Sequence, residues 1–135
     1  MKQIKIFVLI FIALTYANIA NAQEGYLCVS EAAGGVSFDK NSQKWRGTVF
    51  RNDNKKTLIS KKNNKWIVKE FDNSLETECE PPNEYGYMFC NKMFGELKFN
   101  TKNKRYISTY LSGYIDGRDN NDNTPAIEIG ICSKL

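Results

Sequence analysis

Reactivity in this chain is bounded by what it lacks. No histidine occurs among its 135 residues, which removes Ser-His and Cys-His nucleophile pairs, histidine general bases and histidine-ligated metals. The most direct chemistry left is a pair of carboxylates, one serving as acid and the other as base or nucleophile, as in glycoside hydrolysis. Glu96, Asp116 and Glu128 are the acids embedded in strand-like sequence. Their spacing sets no two of them at a working distance, and an outward-facing strand carboxylate is the ordinary state of such a residue. No catalytic residue is therefore expected.

Metal and thiol chemistry fare no better. Asp119-Asn120-Asn121-Asp122-Asn123 has the opening of a calcium loop, but Thr124 stands where the loop needs glycine and Gly130 where it needs glutamate. A mobile polar loop before Pro125 is expected instead, with no metal. The four cysteines, Cys28, Cys79, Cys90 and Cys132, have at least ten residues between neighbours, unlike the close C-x₂₋₄-C pairs of zinc sites. An even number in a small chain reads as a disulfide framework. Three pairings are open. Two considerations favour Cys28 with Cys132 and Cys79 with Cys90: the first ties the ends of the domain, and the second closes a short loop holding Pro81-Pro82. The long link would stabilise by about 4 to 5 kcal/mol and the short one by nearer 3.

Such bonds need an oxidising compartment, and the start of the chain supplies the address. Lys2 and Lys5 precede the apolar run Ile6–Leu14, and Ala20-Asn21-Ala22 offers the small residues of a cleavage site. Residues 1–22 are expected to be a signal peptide and residues 23–135 one exported β domain, periplasmic or extracellular. The apolar run is shorter than a spanning helix. The terminal Ser133-Lys134-Leu135 matches a peroxisomal address, but a chain routed into a secretory channel does not meet that receptor. Removing 1–22 leaves 17 basic and 15 acidic residues, a net charge of +2. That is too little for a nucleic-acid binder.

The elements that would position any site are strands. Apolar residues recur with period two, and no stretch of ten or more holds a helical period. Phe38–Trp45, Ile59–Trp66 and Phe99–Tyr106 each set an apolar and an aromatic residue seven apart around a polar, Asn-containing centre. A turn centred midway makes each a hairpin with Phe38/Trp45, Ile59/Trp66 and Phe99/Tyr106 as facing pairs. Alternation adds strands at Tyr26–Ser30, Arg46–Phe50, Trp66–Phe71, Gly86–Cys90, Arg105–Ile115 and Ala126–Cys132. The fold class is all-β: a small antiparallel barrel, or a sandwich, of about eight to ten short strands. The barrel is preferred, because a covalent tie between first and last strands suits a sheet whose ends meet.

Charge is segregated along the chain. Residues 40–69 hold ten bases against Asp53, and residues 70–84 hold six acids and no base. One use is a basic, aromatic-interleaved face for an anionic envelope polymer, with Trp45, Lys65, Trp66 and Tyr106 as its binding residues. The plainer reading is lysines guarding hairpin edges. The tyrosines and tryptophans divide the same way, between a stacking platform for sugars and cross-strand packing.

Leu27-Cys28, Phe38-x₆-Trp45, Phe89-Cys90, Phe99-Asn100, Tyr110-Leu111-x-Gly113-Tyr114 and Ile127-Glu128-Ile129-Gly130-x-Cys132 together resemble a group of small exported bacterial proteins of unassigned function. That resemblance spans the mature chain and implies no activity. The architecture also resembles the C-type lysozyme inhibitors of the bacterial periplasm, small barrels with a disulfide near the termini. Their Ser-Gly-x-x-Tyr loop is missing here, with Ser112-Gly113-Tyr114 only a partial echo, so inhibition stands as an analogy of fold.

The expectation is an exported, non-enzymatic binding protein without cofactor, whose partner is an anionic envelope component or another secreted protein. The alternatives are an inhibitor of a secreted hydrolase such as lysozyme, and a carboxylate-based glycosidase.

Overall fold

The computed structural model describes residues 24–53, 55–72 and 74–135; the expected signal segment lies outside the described residues. Nine strands form one antiparallel sheet: β1 (Gly25–Asp39), β2 (Lys44–Phe50), β3 (Lys56–Lys62), β4 (Lys65–Glu70), β5 (Glu76–Cys79), β6 (Tyr87–Lys92), β7 (Gly95–Asn100), β8 (Arg105–Tyr110) and β9 (Ala126–Lys134). β3 pairs with β1 rather than with β2, and β9 returns to close on β1. Eight strands, all but β2, thus make a closed barrel. β2 lies outside because β1 overruns the barrel: Gly25 to Val29 pair with β3, whereas Ala33 to Asp39 pair with β2. Among the described residues no helix is long and apolar enough to cross a membrane.

Turn chemistry decides which residues face each other. The loops after Asp39 and Asn100 hold four residues each, between the pairs Asp39/Lys44 and Asn100/Arg105. Asp39 Oδ1 accepts the amides of Asn41 (2.9 Å) and Ser42 (3.4 Å), and Asn100 Oδ1 those of Lys102 (2.8 Å) and Asn103 (3.2 Å). These are side-chain-closed turns, and each ends on a left-handed residue, Gln43 (φ 52°) or Lys104 (φ 64°). Phe38 consequently faces Trp45, with ring centroids 5.7 Å apart, and Phe99 faces Tyr106. The third segment departs from the expectation. Ser60 stands where the others carry Asp39 or Asn100, and the chain turns instead at Asn63-Asn64, both with positive φ (50° and 64°). A two-residue loop of that kind moves the register. Ile59 therefore faces Val68, Trp66 faces Lys61, and the expected Ile59/Trp66 pair does not form.

Two further expectations are corrected. The strand foreseen over Arg105–Ile115 stops at Tyr110, because Gly113 (φ 103°) turns the chain into one 3₁₀ turn, Tyr114–Asp116. The polar loop before Pro125 is not free: Asn121 accepts the Phe38 amide at 2.7 Å and donates to the Phe38 carbonyl at 2.9 Å, and Asp119 accepts the Trp45 indole N–H at 2.9 Å. An asparagine side chain carries the same donor and acceptor as a peptide. It therefore straps the overrunning part of β1 as a neighbouring strand would.

Inside the barrel, Cys28–Cys132 and Cys79–Cys90 are disulfides, each joining directly opposed residues of adjacent strands. Tyr26, Ile59, Trp66, Met88, Leu97 and Phe99 pack around them as the core. The disulfide fixes the face of β9. With Cys132 turned in to reach Cys28, period two puts Gly130 and Glu128 inside and leaves Ile127, Ile129 and Ile131 outside, each more than two-fifths exposed.

Candidate functional site

The four residues foreseen as a binding face do not share one. Trp66 and Tyr106 point into the barrel and are buried, Lys65 sits on the surface paired with Glu78 at 2.8 Å, and Trp45 lies on β2 against Phe38 and Tyr114. The reason is the alternation that makes the barrel: Trp66 shares its inward face with Val68, and Tyr106 with Ser108. Charge segregation along the chain is partly offset in the sheet. The basic β4 lies beside the acidic β5, with β3 next to it, and Lys62 meets Glu76 at 3.3 Å and Lys65 meets Glu78. The candidate carboxylates are separated too: Glu96 pairs with Lys98 on the outer surface, Asp116 is exposed in the 3₁₀ turn, and only Glu128 faces inward.

Glu128 belongs to a ring of charge that spans the lumen above the core. Lys55, just before β3, lies 3.0 Å from Glu128 and 3.7 Å from Glu70 at the end of β4. Glu70 in turn accepts a short contact from Lys92 at the end of β6, and Lys92 also donates to Ser108 Oγ at 3.0 Å. Tyr106, two residues before Ser108 on β8, donates its hydroxyl to Glu128 at 2.6 Å. These contacts run through five strands or their ends, with charges alternating in the order Lys92, Glu70, Lys55, Glu128, and Ser108 and Tyr106 on β8 bring the two ends of the series to one strand. Gly130 makes room for it. A Cβ there would run into the Tyr106 ring and the Val29 carbonyl, so a larger residue would push the hydroxyl off its acceptor.

The ring sets the electrostatics of its members. For Glu70, burial works to raise the carboxyl, but the hydrogen bond and charge of Lys92, with Lys55 behind them, outweigh it and hold the group below the ordinary carboxylate range. For Lys55, burial works to lower the ammonium, and Glu128 and Glu70 together overcome it and raise the group above the usual lysine value. Burial, reinforced by Glu128 as acceptor, pushes the Tyr106 phenol upward. All three are thus fixed in their neutral-pH forms: carboxylate, ammonium and un-ionised phenol.

Above the ring the barrel opens into a cavity of about 390 Å³. Its floor is Lys55, Glu70, Lys92, Ser108 and Glu128 with the buried Val68 among them, and its wall and rim carry Leu75, Met93, Phe94, Tyr110 and Ala126. The rim is unusual in its exposure. Met93 and Phe94 form the two-residue turn between β6 and β7 and are 79% and 56% exposed. Phe94 holds a left-handed backbone (φ 64°), which is rare and strained for a bulky residue and clusters at functional sites. Its ring is braced edge-on against Tyr110 at 6.3 Å. Phe71 and Leu111, next in sequence to Glu70 and Tyr110, are exposed apolar residues as well.

Sequence reasoning missed Lys55, Glu70, Lys92 and Ser108. The signal was present in the cysteines. Once Cys90 faces inward, Met88 and Lys92 must as well, and Trp66 and Val68 carry Glu70 with them. No family model, no curated protein and no solved structure matches this chain.

Proposed function

We propose that the chain is an exported, disulfide-stapled binding protein whose ligand enters the open mouth of the barrel, and that it carries out no reaction there. One observation supports this above the others: a cavity within the usual size range of ligand sites, floored by four converging charged side chains and rimmed by exposed apolar ones. Small closed barrels fill their interiors with side chains or hold one small ligand. Here the lower lumen follows the first pattern and the upper lumen the second.

The converging carboxylates do not make a glycosidase. A general acid must hold a proton near neutral pH, which requires a raised carboxyl. Glu70 is displaced the other way by Lys92 and Lys55, and Glu128 is committed to Lys55 and to the Tyr106 hydroxyl.

The test is thermal unfolding of the oxidised protein against a panel of amino acids, organic acids, amines and sugars, beside an Ala126→Trp variant that plugs the mouth. At least one class raises Tm in the native protein and leaves the plugged variant unmoved. A panel in which nothing discriminates between the two proteins overturns the mouth as a binding site. The strained Met93-Phe94 tip favours a second reading, a secreted hydrolase docking on the rim, whose sign would be lost activity of an added lysozyme.

A further inference from the structure

The floor of the mouth carries two lysines and two glutamates, so its net charge is zero while its local pattern alternates steeply. We infer that the ligand is a compact zwitterion with an apolar body, its two charged groups set against the floor and its apolar part against Leu75, Met93, Phe94 and Tyr110. The inference rests on the mouth being the binding site and adds the ligand's chemical class.

An ammonium has three protons and a carboxylate about four lone-pair sites. Among the described residues Lys92 spends two protons, on Glu70 and Ser108, and Glu128 receives Tyr106 and Lys55. Each end of the ladder therefore keeps bonding capacity toward the cavity, cationic at Lys92 and anionic at Glu128.

An anion alone that draws Lys92 or Lys55 toward itself leaves Glu70 or Glu128 underpaired in a half-buried site, and a cation alone does the same to the lysines; an uncompensated charge is the costly outcome in such surroundings. A neutral polyol must compete through ordinary hydrogen bonds with charge-assisted ones roughly twice as strong. A ligand with both signs continues the alternation and strands nothing.

Charge lies at the bottom of the cavity and apolar surface at its opening, so the ligand sits head inward with its apolar part at the rim. A volume of about 390 Å³ admits either a free apolar amino acid or the zwitterionic headgroup of a lipid whose chain lies over Met93 and Phe94. These are two sources of one chemistry, and the experiment separates them.

Isothermal titration of the full oxidised protein with L-leucine, and with a short-chain lysophosphatidylcholine below its micellar concentration, gives the direct measurement. Isocaproate and isopentylamine serve as matched probes carrying one charge each. At least one zwitterion binds about tenfold or more tightly than both single-charge probes, and the one that does identifies the source. Lys92→Gln then shifts preference toward the amine and Glu70→Gln toward the acid, opposite changes that a merely structural role would not produce. A single-charge probe binding as tightly as the zwitterions overturns the inference, as does failure of both zwitterions to bind. If both fail while another class stabilises only the open-mouthed protein, the ligand class falls and the mouth stands. If nothing in the wider panel binds, both fall. Where a ring variant does not fold by circular dichroism, the native comparison alone decides.

Discussion

The lower and upper halves of one lumen are built on opposite principles. Below, Ile59, Met88, Leu97 and Phe99 are fully buried against two disulfides, which is how a small barrel obtains its stability. Above, the same strands deliver Glu70, Lys92, Ser108 and Glu128 to a cavity open to water. Burying ion pairs is poor at stabilising a fold, since apolar residues of similar size often do as well or better by about 1 to 4 kcal/mol. The upper half is therefore not explained by folding, and that difference is what favours the proposed binding role for it.

The comparison is broken most forcefully from below. Replacing Cys28 and Cys132 together by serine releases a link across 104 residues and should lower unfolding stability by about 4 to 5 kcal/mol, against about 3 for the short Cys79–Cys90 link. Urea unfolding of the two double variants gives both values. An equal or reversed order would mean that β1–β9 closure is not what holds the lower half together.

A mid-sized effect sharpens the contrast from above. Lys55→Met leaves Glu70 and Glu128 short of a cation, and should cost about 2 kcal/mol, less than a fully buried pair because the Lys55 side chain is 33% exposed. Replacing the whole ring, Lys55→Met, Glu70→Leu, Lys92→Met and Glu128→Leu, with Tyr106→Phe and Ser108→Ala so that no hydroxyl is stranded, should leave stability unchanged or higher. Binding at the mouth should vanish with it. A combined variant less stable than Lys55→Met alone would make the ring a structural prop and remove the distinction between the halves.

The fold was more legible than the site because the two rest on different signals. Period two, turn residues and paired cysteines are local, and they were enough for an all-β barrel with both disulfides. Register was readable only where an acceptor side chain opened the turn: Asp39 and Asn100 announced four-residue loops, whereas Ser60 gave no such sign and Asn63-Asn64 took over. The site depends on which face is inside, and there hydrophobicity is a poor guide. On β9 three isoleucines outvote one glutamate in any count, yet Cys132 holds the isoleucines outside and Glu128 within. Lys55, just outside a strand, carried no mark among the many lysines of the chain, and Lys92 only its two-residue distance from Cys90. Only the closed sheet brings them together.

The smallest effect is also the most selective, and it is read as pH dependence. Glu70 has its carboxyl held low in the folded protein against the pull of burial, by Lys92 first and Lys55 after. A lowered carboxyl contributes stability that is fully present above its ordinary value of 4.5 and is lost as pH falls through the folded value. Lys55 is raised, so its share is fully present below its ordinary 10.5 and is lost only as pH climbs past the folded value. Between those limits the ring contributes a plateau, and its acid edge belongs to Glu70. Glu70→Gln lowers the plateau but removes that edge, since an amide does not titrate. Unfolding free energies measured at pH 7, 5.5, 4 and 3 should therefore fall less steeply on the acid side for Glu70→Gln than for the native protein. Parallel curves would mean that the two lysines do not grip Glu70 in solution, and the floor of the mouth would then lack the fixed alternation on which the proposed preference for a zwitterion rests.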